Sequence, residues 1–223
     1  ALHTQTTAVS NTAIGYKTLY TVDGNGTTGS NNTAIGRKAG YNMSTGYRNV
    51  CVGNNAGERI TTGYQNTSVG NIAGYSAGQT GFNNVSLGYN AQPPSDTSSN
   101  NVTLGDANIG ALRCNQTSIT SLSDARDKTD VVDLPVGLDF IKGVRPVKFK
   151  WQRREPDDND GMIRAGFIAQ ELQKAQKDSD YLDLVFDHNP EKLEAKQGNL
   201  IPVMVQAIKE LSAKVKELES KLN

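Results

Sequence analysis

A short phrase, Asn-x-x-(Ile/Val/Leu)-Gly, recurs six times in the first half of the chain: Asn11 to Gly15, Asn32 to Gly36, Asn49 to Gly53, Asn66 to Gly70, Asn84 to Gly88 and Asn101 to Gly105. The closing glycines lie 21, 17, 17, 18 and 17 residues apart, the first interval lengthened by an insertion around Val22-Asp23-Gly24-Asn25. Two further landmarks keep the same period. One is Ala-Gly, at Ala39-Gly40, Ala56-Gly57 and Ala73-Gly74; the other is Thr-Gly, at Thr28-Gly29, Thr45-Gly46, Thr62-Gly63 and Thr80-Gly81. A unit this short buries almost nothing alone, so it must be stacked on copies of itself.

Each unit reads as a strand of a few residues bounded by residues tolerant of positive φ, as in Thr33-Ala34-Ile35-Gly36. Stacked turns predict a β-solenoid or β-prism shaft with a thin core of Ile, Val, Leu and Ala, and with ladders of equivalent Asn and Thr side chains. Aromatics make up only 6% of the chain. Three chains about one axis would bury far more than one, so the thin core implies a homotrimer. The tyrosines at 16, 41, 47, 64, 75 and 89 fall at turns, where they either face outward for sugars or cover glycine backbone. The repeat resembles the Asn-Thr-Ala-Ile-Gly repeats of phage tail fibres and, more loosely, the head repeats of trimeric autotransporter adhesins, over roughly residues 8–110.

Composition changes after about residue 120, where charged residues replace Gly, Asn, Thr and Ser. The expected organisation is a shaft over 1–115 and a second domain over 116–223, ending in a helix over 199–223. The 23 basic and 23 acidic residues of the 223-residue chain balance, which gives no field for nucleic acid or an anionic membrane surface. No apolar run reaches the length needed to cross a bilayer. Cys51 and Cys114 have neither CxxC spacing nor a disulfide pattern.

Candidate chemistry lies in Ser121-Leu122-Ser123-Asp124-Ala125-Arg126-Asp127-Lys128. A serine followed five residues later by lysine can supply a nucleophile and an amine base. That lysine would need burial or a nearby cation to shed its proton. Read blandly, Ser121 and Asp124 form a helix-capping box and Lys128 is a solvated charge. Further along come Gly166-Phe167-Ile168-Ala169-Gln170-Glu171-Leu172 and Asn199-Leu200-Ile201-Pro202.

This ordered set resembles the endosialidase-type intramolecular chaperone domain at the ends of phage tail spikes, fibres and neck appendages, over about residues 120–223. The resemblance implies a domain that trimerises, guides folding of the β-fibre before it, and then cuts itself off. By the same resemblance the cut falls at Ser123-Asp124. Ser123 is the nucleophile, Lys128 its base, and Asp124 and Asp127 stand at acidic positions implicated in the cleavage, Asp127 where a longer carboxylate can occur. The activity implied is a self-cleaving serine endopeptidase acting once, in cis, with no cofactor and no metal.

Read from its residues alone, the second domain is a small α+β unit. A helix is expected over Pro135 to Lys142, stopped by Gly143. Val147, Phe149 and Trp151 alternate as a strand, Arg164 to Ala169 supply another that runs into a helix, and Leu182, Leu184 and Phe186 alternate again. Asn199 is expected to cap the last helix. There Ile201, Met204, Ile208, Leu211, Val215, Leu218 and Leu222 fall at a and d positions, a seam of about three heptads, with Lys214 and Glu219 at g and e. Side-chain shape at a and d favours two strands; the shaft and the resemblance favour three.

Other motifs are set aside. Gly24 to Gly29 fits a dinucleotide-binding glycine pattern without the strand and helix that such a site requires, and reads as a loop insertion. Asp157-Asp158-Asn159-Asp160-Gly161 is not a calcium loop, because Pro156 and Phe167 occupy ligand positions. His3 and His188 stand alone. The expectation is a virion tail fibre made in the host cytoplasm, with other tail or fibre proteins as partners and a host surface receptor, a glycan, reached through the fibre. The alternatives are a trimeric adhesin that keeps its C-terminal domain as a cap, and a glycan-degrading spike, for which the shaft has too few carboxylates.

Overall fold

The computed structural model of the protein describes residues 2, 7–23, 25–76, 78–115, 119–152 and 161–222. The chain forms two compact units, Ala1–Leu112 and Arg113–Asn223.

In the first unit the repeated phrase becomes one rung of a parallel ladder. The two-residue strands β1 (Thr7–Ala8) and β3 (Asn25–Gly26) pair in parallel. The expected loop insertion therefore contributes a strand, while Gly24 lies outside the described residues. The main sheet is built from β2 (Thr12–Ile14), β4 (Thr33–Ile35), β5 (Val50–Val52), β6 (Thr67–Val69), β7 (Val85–Leu87) and β8 (Val102–Leu104), each paired with the next. Register follows the repeat without a slip: Thr12, Thr33, Val50, Thr67, Val85 and Val102 stand in one column. The result is a parallel β-solenoid.

The Asn that opens each phrase holds rung to rung. Asn49 Oδ1 accepts the backbone N–H of Asn66 at 2.9 Å, and Asn66 Oδ1 accepts that of Asn84 at 3.0 Å. Each Nδ2 donates to a glycine carbonyl one rung on, Asn49 to Gly63 O and Asn66 to Gly81 O, both at 2.9 Å. These side chains are buried, so each bond contributes about 0.5–1.5 kcal/mol, and an orphaned partner would cost about 1–3 kcal/mol. The glycine that closes each phrase serves close stacking. Gly53 has φ +137°, and a Cβ there would overlap the carbonyl oxygen of Gly70 one rung on.

The core differs from expectation in which residues fill it. A three-residue strand turns one side chain inward and two outward. The inward residues are Ala34, Cys51, Ser68 and Ser86, all buried, whereas Ile14, Ile35, Val69 and Leu87 face out. Ala39, Ala56, Ala73 and Ala91 are also buried, and the larger Leu19, Val22, Met43 and Ile60 complete the interior. Along the surface, Tyr47, Tyr64 and Phe82 stack on one another with centroids 4.9 and 4.8 Å apart, and Tyr20 stacks on Tyr41 at 5.2 Å. Tyr41, Tyr47 and Tyr64 thus cover neighbouring rings, Tyr75 lies under Arg59, and Tyr16 and Tyr89 are exposed.

The second unit is a small α/β assembly. Helix α1 spans Leu138–Gly143 and starts three residues later than expected. Its start is set by Glu210, whose Oε2 accepts the Leu138 N–H at 2.8 Å; a Cβ at Gly137 would collide with that carboxylate. Strands β9 (Val147–Lys150) and β10 (Ile163–Gly166) pair antiparallel, and α2 (Ala169–Ala175) follows. The short strands β11 (Val185–Phe186) and β12 (Glu194–Ala195) also pair antiparallel. A core of Leu172, Leu182, Leu184, Val185, Leu200 and Val203 receives Phe140, Ile141 and Phe167 at its edge.

Helix α3 runs over Ile201–Leu222, 22 residues, entered through a 3-10 turn at Gln197–Leu200. Asn199 does not cap it: its Nδ2 donates instead to the carbonyl of Asp183 at 2.7 Å. Val203 and Ala207 turn into the core, while the seven seam residues from Ile201 to Leu222 all face out, Leu211 at 51% and Leu218 at 60% exposure. No helix among the described residues is long and apolar enough to cross a membrane.

Candidate active site

The proposed chemistry is carried by one tight turn. Asp124 has extended backbone and opens a 3-10 turn, Ala125–Asp127, by accepting the Arg126 N–H at 2.9 Å. Lys128 closes it, its backbone N–H donating to Ala125 O at 3.3 Å. This reversal brings two side chains five residues apart together, and Lys128 Nζ donates to Ser123 Oγ at 2.6 Å. A nucleophile and an amine thus lie within proton-transfer reach of each other.

Asp124 is engaged elsewhere. Its carboxylate takes Arg126 Nε at 3.1 Å and Nη2 at 2.6 Å. Those side-chain hydrogen bonds, with the backbone one, hold its pKa below the usual carboxylate value. Asp127 gives its backbone N–H to Asp124 O at 3.2 Å and has an exposed side chain. Among the described residues neither carboxylate hydrogen-bonds to the Ser123–Lys128 pair. Nor does Ser121 form a capping box, since Asp124 is itself the cap.

The other motif is a strand-to-helix corner. Gly166 ends β10 where a Cβ would press on the Phe149 ring, and Leu172 enters the core. Glu171 makes a two-pronged ion pair with Arg145, Nε to Oε2 at 3.1 Å and Nη2 to Oε1. The hydrogen bond from Arg145 holds Glu171 below the usual carboxylate range.

Residues 123–181 match the family described as chaperone of endosialidase. The chaperone-of-endosialidase segment opens on Ser123, the residue whose Oγ meets Lys128. It takes in the turn, α1, the β9–β10 pair and the α2 corner, and ends inside the 3-10 turn Asp180–Leu182. No curated protein and no solved structure matches the chain.

All described residues from 119 to 133 are exposed. The matched segment therefore presents the Ser123–Lys128 pair to water. Two partners escaped the sequence reading, Arg126 and Arg145. Asp-x-Arg across a turn was the available signal for the first; the second pairs across 26 residues and had none. His188 stacks on Phe186 with centroids 4.4 Å apart, whereas His3 and residues 157–160 lie outside the described residues. No group of three or more His, Cys, Asp or Glu that could hold a metal ion occurs among the described residues.

Proposed function

We propose that the C-terminal unit assembles three copies of the chain, guides folding of the fibre shaft, and then releases itself by cutting the Ser123–Asp124 bond. The observation that carries this reading is the contact between Lys128 Nζ and Ser123 Oγ at the first residue of the family match. The outward seam of α3 supports assembly. Seven apolar side chains in water along one helix are costly, and a coiled coil of copies removes them from solvent.

The chemistry needs no cofactor. Once neutral, Lys128 takes the hydroxyl proton as Oγ attacks the carbonyl carbon of residue 123. An ester forms, the C–N bond to Asp124 breaks, and the lysine returns the proton to the leaving amine; water then hydrolyses the ester. Attack by Ser123 on its own carbonyl would close a strained four-membered ring, so in this proposal the attacking Oγ belongs to a neighbouring copy, in place of the attack in cis that the resemblance implies. Neighbouring copies also bury Lys128, which the single chain leaves in solvent. Cleavage is thereby tied to assembly: an unassembled chain has the pair but neither a reachable carbonyl nor a desolvated lysine. The released shaft remains as a virion tail fibre that meets a surface glycan of the host.

The test is to break the seam alone. Ile208→Glu with Leu218→Glu replaces two outward side chains without touching the core that holds α3. The double variant should sediment as a single chain and remain uncut. A variant that is single-chain yet fully cleaved would refute the coupling.

A further inference from the structure

The interior of the solenoid changes character part-way along. On β4 and β5 the inward side chains are Ala34 and Cys51; on β6 and β7 they are Ser68 and Ser86, and on β8 the half-buried Thr103. The facing wall changes at the same rung. Met43 and Ile60 are fully buried there, and Ile60 bridges to Gln79, a residue 1% exposed. Gln79 Oε1 meets no hydrogen-bond donor among the described residues, a costly arrangement for a buried polar atom. The buried apolar cluster runs from Ala8 to Ile60 and takes in nothing beyond it. What joins the last three rungs is polar: the backbone ladder and the amides, with Asn66 Oδ1 accepting the Asn84 N–H at 3.0 Å and Asn84 Oδ1 accepting the Asn101 N–H at 3.1 Å.

We propose that the segment whose folding the C-terminal unit guides is this polar stretch, β6 to β8, and that β2, β4 and β5 fold without it. Collapse is driven by the apolar area removed from water. Internal hydrogen bonds replace bonds to water and favour folding only modestly. In a stacked array each rung is held by its own burial and by its neighbours. The first rungs carry a core and can nucleate; the last three have a ladder without a core, and an array of that kind opens from its weak end. That weak end is the one next to the C-terminal unit in the chain, since β8 is the last strand before the unit begins at Arg113. The inference rests on the guidance reading above and gives that guidance its substrate, a segment of this chain.

Hydrogen exchange in the full chain tests it, read by mass spectrometry of peptides, with Ser123→Ala throughout so that both units stay joined. Adding Ile208→Glu and Leu218→Glu breaks the α3 seam. Peptides from β6, β7 and β8 should then exchange at least about 10-fold faster, while those from β2, β4 and β5 keep their protection. Gln79→Met, which puts an apolar side chain of similar size in the column of Ile60, should restore β6 to β8 in the seam variant. If all six rungs lose protection alike, or if the loss at β6 to β8 survives Gln79→Met, the inference is wrong and the guidance reading stands. If breaking the seam changes no rung, both fall.

Discussion

Lys128 Nζ lies 2.6 Å from Ser123 Oγ, yet both side chains stand in solvent. The pair is positioned by a local turn, and in the proposed reaction assembly must supply both a desolvated lysine and a reachable carbonyl. Lys128→Arg keeps a donor near Ser123 but cannot shed its proton at working pH. It should lower the cleaved fraction by at least about 100-fold, the scale of a lost general base. Densitometry of denaturing gels over time measures it, and cleavage near the wild-type rate would remove lysine from the chemistry.

The ring-strain argument makes a separate prediction. In assemblies mixed from wild-type and tagged Ser123→Ala chains, wild-type serines should cut the tagged chains at the peptide bond that precedes Asp124. Mass spectrometry of tagged fragments reads this directly. Tagged chains that remain wholly intact in mixed assemblies would mean that each serine acts only within its own chain.

The shaft depends on its buried amides. Asn66→Ala removes the acceptor of the Asn84 N–H at 3.0 Å and the donor to Gly81 O at 2.9 Å. The loss should be about 2–4 kcal/mol from the orphaned backbone groups, read from denaturant unfolding. Gln65→Ala, at an exposed neighbour, should change stability by less than about 0.5 kcal/mol.

Much of this was legible in the residues. The Asn-to-Gly phrase announced a stacked solenoid because Asn supplies a ladder and Gly permits close stacking, and both needs recur at every rung. The apolar seam from Ile201 to Leu222 was legible for the same reason of strict period. Which side of the sheet faced inward was not. A three-residue strand such as Thr33-Ala34-Ile35 has no alternation long enough to mark its inner face, and only packing against Ala39 and Ala56 decides it. Long-range polar contacts were equally hidden: the Glu210 cap on Leu138 spans 72 residues, and no local pattern encodes it. At the site, the five-residue spacing of Ser123 and Lys128 is closed by a turn to a 2.6 Å contact, and Asp124 pairs with Arg126, two residues on.

The two cysteines should differ sharply in reactivity. Burial pushes the Cys51 thiol up to about 12, so it stays protonated and inert at mildly alkaline pH. Cys114 is exposed. Iodoacetamide at pH 8 should label Cys114 alone in the native protein, and Cys51 only after unfolding. Peptide mass mapping checks this, and native labelling of Cys51 would show that the solenoid opens readily.

The self-release claim meets its most direct test in one comparison on a denaturing gel, with intact masses measured alongside. Wild-type protein should separate into fragments 1–123 and 124–223, and Ser123→Ala made alone should remain a single full-length band. A wild-type protein that stays full length, or a Ser123→Ala protein that is cut as fast as wild type, would contradict it.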